Sequence, residues 1–119
     1  MPKEILVVDD QPGIRLLLTD ILTSEGYHVS LASTGKEALD KINKESYDLI
    51  ILDYKLPIVD GKEILEILEK EERDISVILM SGMAENIKQE IEKIKMVRRI
   101  IAKPFNIKDF CAHVEEILL

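Results

Sequence analysis

An alternation constrains this chain more than any other feature. Five short apolar runs, Ile5-Leu6-Val7-Val8, Tyr27 to Leu31, Leu49-Ile50-Ile51-Leu52, Val77-Ile78-Leu79-Met80 and Arg99-Ile100-Ile101-Ala102, are separated by segments with a helical period. Three of the runs are continuous and rich in β-branched residues, as in strands covered on both faces. Tyr27-His28-Val29-Ser30-Leu31 alternates instead, which predicts a sheet edge with one wetter face. Ile14, Leu17, Leu18, Ile21 and Leu22 recur at i, i+3, i+4, i+7 and i+8, and Gly26 stands where a helix C-terminal cap belongs. Ala38, Leu39 and Ile42 mark a second helix, with Ser33 or Thr34 as N-cap, and Ile64, Leu65 and Leu68 mark a third opened by Asp60-Gly61. Ile87, Ile91 and Ile94 mark a fourth, and Phe110, Val114, Ile117 and Leu118 a fifth capped by Asn106.

Five βα units in strict succession predict an α/β protein, a (βα)5 doubly wound parallel sheet with right-handed crossovers. At 119 residues the expected strand order is 2-1-3-4-5, since an eightfold barrel needs about twice the chain. One domain over residues 1–119 is expected, with no linker to a second. Apolar residues make up 46% and charged residues 33%, a globular composition. The net charge of −7 argues against nucleic acid or an anionic membrane as the main partner. A single cysteine, Cys111, gives no internal disulfide, and Met1-Pro2-Lys3-Glu4 opens no signal peptide. The expectation is a cytoplasmic monomer. His28 and His113 read as surface or helix residues, and Cys111 as packing on the last helix.

In such a sheet, ligands bind beyond the carboxyl ends of the strands, where the strand order reverses. That point lies between strands one and three. Strand one runs directly into Asp9-Asp10 and strand three into Asp53, so strands about 4.8 Å apart bring three carboxylates to one edge. Strand four ends in Ser81 and strand five in Lys103, whose stem can span most of the roughly 10 Å to Asp53. Crowded carboxylates repel, and a divalent cation relieves that penalty. Oxygen ligands with open positions suit Mg²⁺, with Mn²⁺ as the alternative. A metal, a lysine and a hydroxyl around a carboxylate nucleophile form a phosphoryl-transfer arrangement that yields an aspartyl phosphate.

These residues closely resemble the receiver domain of bacterial two-component response regulators, with its flavodoxin-like, CheY-like fold. The matching pieces are Ile5 to Asp10, Leu52 to Gly61, Met80-Ser81 and Lys103-Pro104-Phe105, and Asp9 to Arg15 is most similar to the single-domain phosphorelay members. The resemblance implies a response regulator that accepts a phosphoryl group on Asp53 from the phosphohistidine of a sensor histidine kinase or histidine phosphotransferase. On that resemblance it would catalyse only its own phosphorylation and dephosphorylation. Asp10, Asp53 and the backbone carbonyl of Lys55 would bind Mg²⁺ directly, with Asp9 acting through water. Lys103 would contact the phosphoryl oxygens, Ser81 would hydrogen-bond them after transfer, and Lys103-Pro104 would be a cis peptide. Gln11, Ile14, Leu16, Pro104 and Phe105, from helix one and the loop after strand five, are the candidate partner contacts. Leu16 lies about half a turn off the apolar stripe and is expected to face water.

Some positions depart from the family's commonest pattern. Ser81 stands for Thr, Gly82 for Ala, Met96-Val97 for Gly-Ala, and Ile100 for the Tyr or Phe that swings inward on activation. Lys55, two after the acceptor, disfavours an aspartate-nucleophile phosphatase, which often has an acid there. Two aspartates after strand one disfavour a flavin or nucleotide site, which needs glycines and helix N–H groups at that turn. The receiver of a larger DNA-binding regulator is the remaining alternative.

Overall fold

The computed structural model describes residues 2–82 and 84–119, with only the backbone for 84–86. Its elements alternate as expected: β1 (Glu4–Val8), α1 (Pro12–Ser24), β2 (His28–Ala32), α2 (Gly35–Lys44), β3 (Leu49–Asp53), α3 (Gly61–Lys70), β4 (Ser76–Ser81), α4 (Ala84–Ile91), β5 (Val97–Ala102) and α5 (Ile107–Leu118). The five strands form one parallel sheet in the order β2-β1-β3-β4-β5. The strand order therefore reverses between β1 and β3, where Val8 stands opposite Leu52.

The continuous apolar runs are explained by what covers them. Alternate side chains of β1, β3 and β4 enter two separate cores. Ile5, Val7, Leu49, Ile51, Ile78 and Met80 pack against Leu18 and Leu22 of α1 and Phe110 and Val114 of α5. Leu6, Val8, Ile50, Leu52, Val77 and Leu79 pack against α2, α3 and α4. Strands covered on both faces have no need to alternate.

The starts of α2, α3 and α5 are fixed by side-chain caps. Thr34 accepts the Glu37 N–H at 3.1 Å, Asp60 the Glu63 N–H at 2.9 Å and Asn106 the Asp109 N–H at 3.0 Å. Gly26 follows α1 at φ +92°, the left-handed turn that a side chain resists.

Three expectations are adjusted. The α1 stripe is narrower than its period suggests, since only Leu18 and Leu22 are buried and Leu17 is 38% exposed. Helix α4 stops at Ile91, so Ile94 is buried from the turn beyond it, its N–H bonded to the Ile91 carbonyl. β5 begins at Val97 rather than Arg99, and as the second edge it is more open than β2. His28 is exposed, as expected, but is tied across the β1–β2 edge to the Glu4 carboxylate at 2.8 Å. Among the described residues no helix is long and apolar enough to cross a membrane.

Gly61 marks where α3 meets the end of β3. A Cβ there would stand 2.7 Å from the Asp53 carbonyl oxygen and 2.8 Å from Tyr54 Cα, both backbone atoms that cannot step aside. Gly13 in α1 has open space around it. Gly61→Ala should therefore cost about 1–3 kcal/mol of unfolding free energy, as overpacked sites do. Gly13→Ala should be neutral or gain up to about 1 kcal/mol. Urea denaturation of the two variants beside the wild-type chain checks both signs.

Candidate phosphoryl-transfer site

The rim residues are held by backbone bonds that continue the sheet past the strands. The Asp9 N–H donates to the Ala32 carbonyl at 3.1 Å, the Tyr54 N–H to the Met80 carbonyl at 2.9 Å and the Lys103 N–H to the Ser81 carbonyl at 2.9 Å. Asp9, Asp53 and Lys103 thus stand on the rigid sheet rather than on free loops. Each of Asp9, Asp10 and Asp53 offers a carboxylate oxygen within 4.8 Å of the other two. Asp9 and Asp53 are buried, and Asp10 is exposed.

Lys103 bridges the acids. Its Nζ lies 2.7 Å from Asp9 Oδ2 and 3.3 Å from Asp53 Oδ2, so the stem spans the gap expected from the strand spacing. The other Asp9 oxygen accepts the Gln11 N–H at 2.9 Å, and Asp53 Oδ1 accepts the Lys55 N–H at 3.3 Å. Burial and the neighbouring Asp9 charge hold the Asp53 carboxyl above its ordinary range, against the opposing pull of Lys103 and the Lys55 N–H. Burial presses the Lys103 ammonium the other way. Its hydrogen bond to Asp9 and the charges of both acids outweigh this, so it stays protonated above the usual lysine range.

Ser81 ends β4, buried and in register with Ala102 directly before Lys103. The Lys103-Pro104 peptide is cis, as the resemblance implied. Phe105 is half-buried, its ring 5.2 Å from that of Phe110, and Ile14 packs partly against the same core. Gln11 and Pro104 are exposed, and Leu16 is 65% exposed as its helical phase predicts. Ile100 is half-buried against the α2–α4 side.

Further contacts at this end of the sheet were not foreseen. Arg15 Nη1 donates to the Asp9 carbonyl at 2.8 Å, tying the first turn of α1 to the acidic turn. Its sequence signal, a basic residue six after Asp9, is too common to single out. Glu90 of α4 receives the Tyr54 hydroxyl at 3.4 Å and an ion pair from Lys62, contacts set by tertiary packing alone.

The donor set is oxygen-only, anionic and partly open through Asp10, which fits a hard divalent cation. A sequence model of the response regulator receiver domain matches residues 5–115. The chain belongs to that family. It is 40% identical to sporulation initiation phosphotransferase F of Bacillus subtilis over 99% of this chain and 95% of that protein. It is 36% identical to the alkaline phosphatase synthesis transcriptional regulatory protein PhoP of the same organism, over 99% of this chain but 49% of the regulator. The chain thus spans about half the length of that transcriptional regulator. Among solved structures, the response regulator TrrA of Thermotoga maritima in complex with Mg²⁺-BeF is similar at TM-score 0.87 and 34% identity, with 98% of this chain and 99% of that one covered. The chemotaxis protein CheY4 of Vibrio cholerae is similar at TM-score 0.89 and 26% identity, covering 99% of this chain and 100% of that one. The receiver fold with its 2-1-3-4-5 sheet is therefore shared along essentially the whole chain.

The raised Asp53 carboxyl has a consequence for stability. A carboxyl whose folded pKa lies above its unfolded value favours the fold while protonated, and that contribution is lost as pH rises through the folded pKa. In EDTA at neutral pH, Asp53→Asn should therefore unfold at a higher urea concentration than the wild-type chain. The difference should shrink as pH falls through the carboxylate range. Added Mg²⁺ should raise the wild-type midpoint more than that of the variant.

Proposed function

We propose that residues 1–119 form a single receiver domain whose Asp53 takes the phosphoryl group from a phosphohistidine of a sensor histidine kinase or histidine phosphotransferase. The observation that carries the reading is the convergence of the Asp9, Asp10 and Asp53 carboxylates, with the Lys103 ammonium on Asp9 and Asp53. In the transfer, a carboxylate oxygen of Asp53 attacks phosphorus as the phosphorus–nitrogen bond breaks. The bond's electron pair stays on the imidazole nitrogen, which takes up a proton. Asp9, Asp10, Asp53 and the Lys55 carbonyl are the groups that would hold Mg²⁺. Bound there, the ion supplies charge neutralisation to the phosphoryl oxygens. Lys103 adds a second positive charge, already aimed at Asp53. The Ser81 hydroxyl, on the neighbouring strand at the same rim, is the group assigned to hydrogen-bond the transferred phosphoryl. Hydrolysis of the acyl phosphate by water returns the carboxylate.

The phosphoryl group brings about −1.5 to −2 charges to the rim. A hydrogen bond to a charged oxygen is worth roughly 1.5–3 kcal/mol, enough to shift a balanced loop equilibrium but not a strongly biased one. A modest rearrangement after β3 and β4 follows, read by a partner through direct contact or onward transfer. Gln11, Ile14, Leu16, Pro104 and Phe105 form the surface assigned to the donor. The length of the PhoP relative favours a second reading, the receiver of a larger transcriptional regulator, and the extent of the open reading frame separates the two.

Incubation with Mg²⁺ and acetyl phosphate, followed by intact mass, tests the acceptor. One phosphoryl unit should appear on the wild-type chain and none on Asp53→Asn, and EDTA should abolish the addition. Labelling of Asp53→Asn to the same extent would overturn the assignment. Leu16→Asp should slow transfer from an autophosphorylated kinase transmitter domain about tenfold, the loss of one buried apolar contact. Its urea midpoint should stay that of the wild-type chain.

A further inference from the structure

Beyond the acceptor, the β3–α3 loop holds a residue that the fold itself disfavours twice. Ile58 is 97% exposed and has φ +67°. The Val59 N–H closes back on the Pro57 carbonyl at 2.8 Å, so Ile58 is the centre of a three-residue turn of the positive-φ kind, the rarer and more strained form. A β-branched side chain in that conformation is an outlier, whereas glycine or asparagine takes it readily. Glu72, the other such non-glycine residue among the described ones, has an ordinary reason for its positive φ. It follows α3, where helices commonly end in a left-handed residue.

The neighbours of Ile58 explain why it stays outside. Leu56 is buried, and Val59 packs against the α2–α4 core. The Val59 carbonyl lies 2.3 Å from where a Gly35 Cβ would be, so the loop rests on the bare start of α2. The Gly61 N–H is bonded to the Tyr54 carbonyl at 2.9 Å. Pinned on both sides, the loop holds Ile58 outward as a fixed apolar knob. Neither the backbone strain nor the exposed apolar area is repaid within the chain.

We infer that Ile58 is a contact for the phosphodonor protein, seated in an apolar recess beside its phosphohistidine. The inference rests on the reading of Asp53 as acceptor. A donor imidazole that reaches Asp53 must cover the rim, and Ile58 stands on that rim five residues after Asp53. Among the described residues, the exposed Leu16 and Ile107 and the partly covered Phe105 belong to the α1–α5 side, whereas the Ile58 loop is anchored on the α2–α4 side. A donor touching both sides straddles the carboxylate, and its orientation is fixed from two directions. Ile58 then contributes to the choice of donor, with no part in the chemistry.

Three variants test this: Ile58→Asn and Ile58→Gly, which relax the backbone and remove the knob, and Ile58→Leu, which keeps an apolar side chain without the β-branch. The protein donor is the autophosphorylated kinase transmitter domain that phosphorylates the wild-type chain fastest in a panel, and the small donor is acetyl phosphate. Labelling by acetyl phosphate should be equal in all four proteins. With the kinase, kcat/KM should fall about tenfold for the Asn and Gly variants and be largely kept by Leu. The melting temperatures of the Asn and Gly variants should equal or exceed that of the wild-type chain. Unchanged kinase transfer in both relaxed variants would overturn the proposal. So would a wild-type dimer in sedimentation that Ile58→Asn dissolves, since the knob would then serve a second copy of the chain. Failure of the wild-type chain to take label from acetyl phosphate would instead overturn the acceptor reading beneath it.

Discussion

The repulsion among three carboxylates at the reversal of the sheet is the constraint around which the rest of this structure is arranged. Asp9 and Asp53 are buried at the ends of adjacent strands, where their mutual repulsion is strongest and water can do least to screen it. Lys103 is the counterweight. It comes from the far edge of the sheet, is held by its own backbone bond to Ser81, and divides its ammonium between the two buried acids. Because all three groups extend the strand ladder, the site inherits the rigidity of the sheet, and the pairing needs no induced ordering. Burial first and the Asp9 charge second hold the Asp53 carboxyl above its ordinary range, with Lys103 opposing both. A residual excess of negative charge suits a rim that receives a cation and then a phosphoryl group.

Most of the fold was legible because its strongest signals are periodic. The buried strands are unbroken apolar runs, the helices carry three- and four-residue spacing, and Thr34, Asp60 and Asn106 announce their helices by side-chain chemistry that needs no tertiary information. The site was legible for a different reason. A parallel sheet directs its ligand to the carboxyl ends of the strands, and the Asp9-Asp10 pair, Asp53, Ser81 and Lys103 each follow an apolar run directly.

What was not legible depends on neighbours distant in sequence. Leu17 fits the apolar period of α1, yet only packing decides how wide a stripe the sheet and α5 cover. Ile94 continues the spacing of α4 but is delivered to the core from a turn, because burial requires proximity rather than a helix. Arg15, His28 and Glu90 find their partners 6, 24 and 36 residues away, separations at which spacing rules are silent. Ile58 has an apolar identity that suggests the interior, and nothing nearby in sequence signals its left-handed backbone.

The bare Gly35 has a consequence that reaches beyond its own helix. The Val59 carbonyl occupies the space a side chain would need, so the segment leaving Asp53 packs directly on the first turn of α2. A side chain at position 35 would therefore press on the backbone of the segment that leaves the acceptor strand.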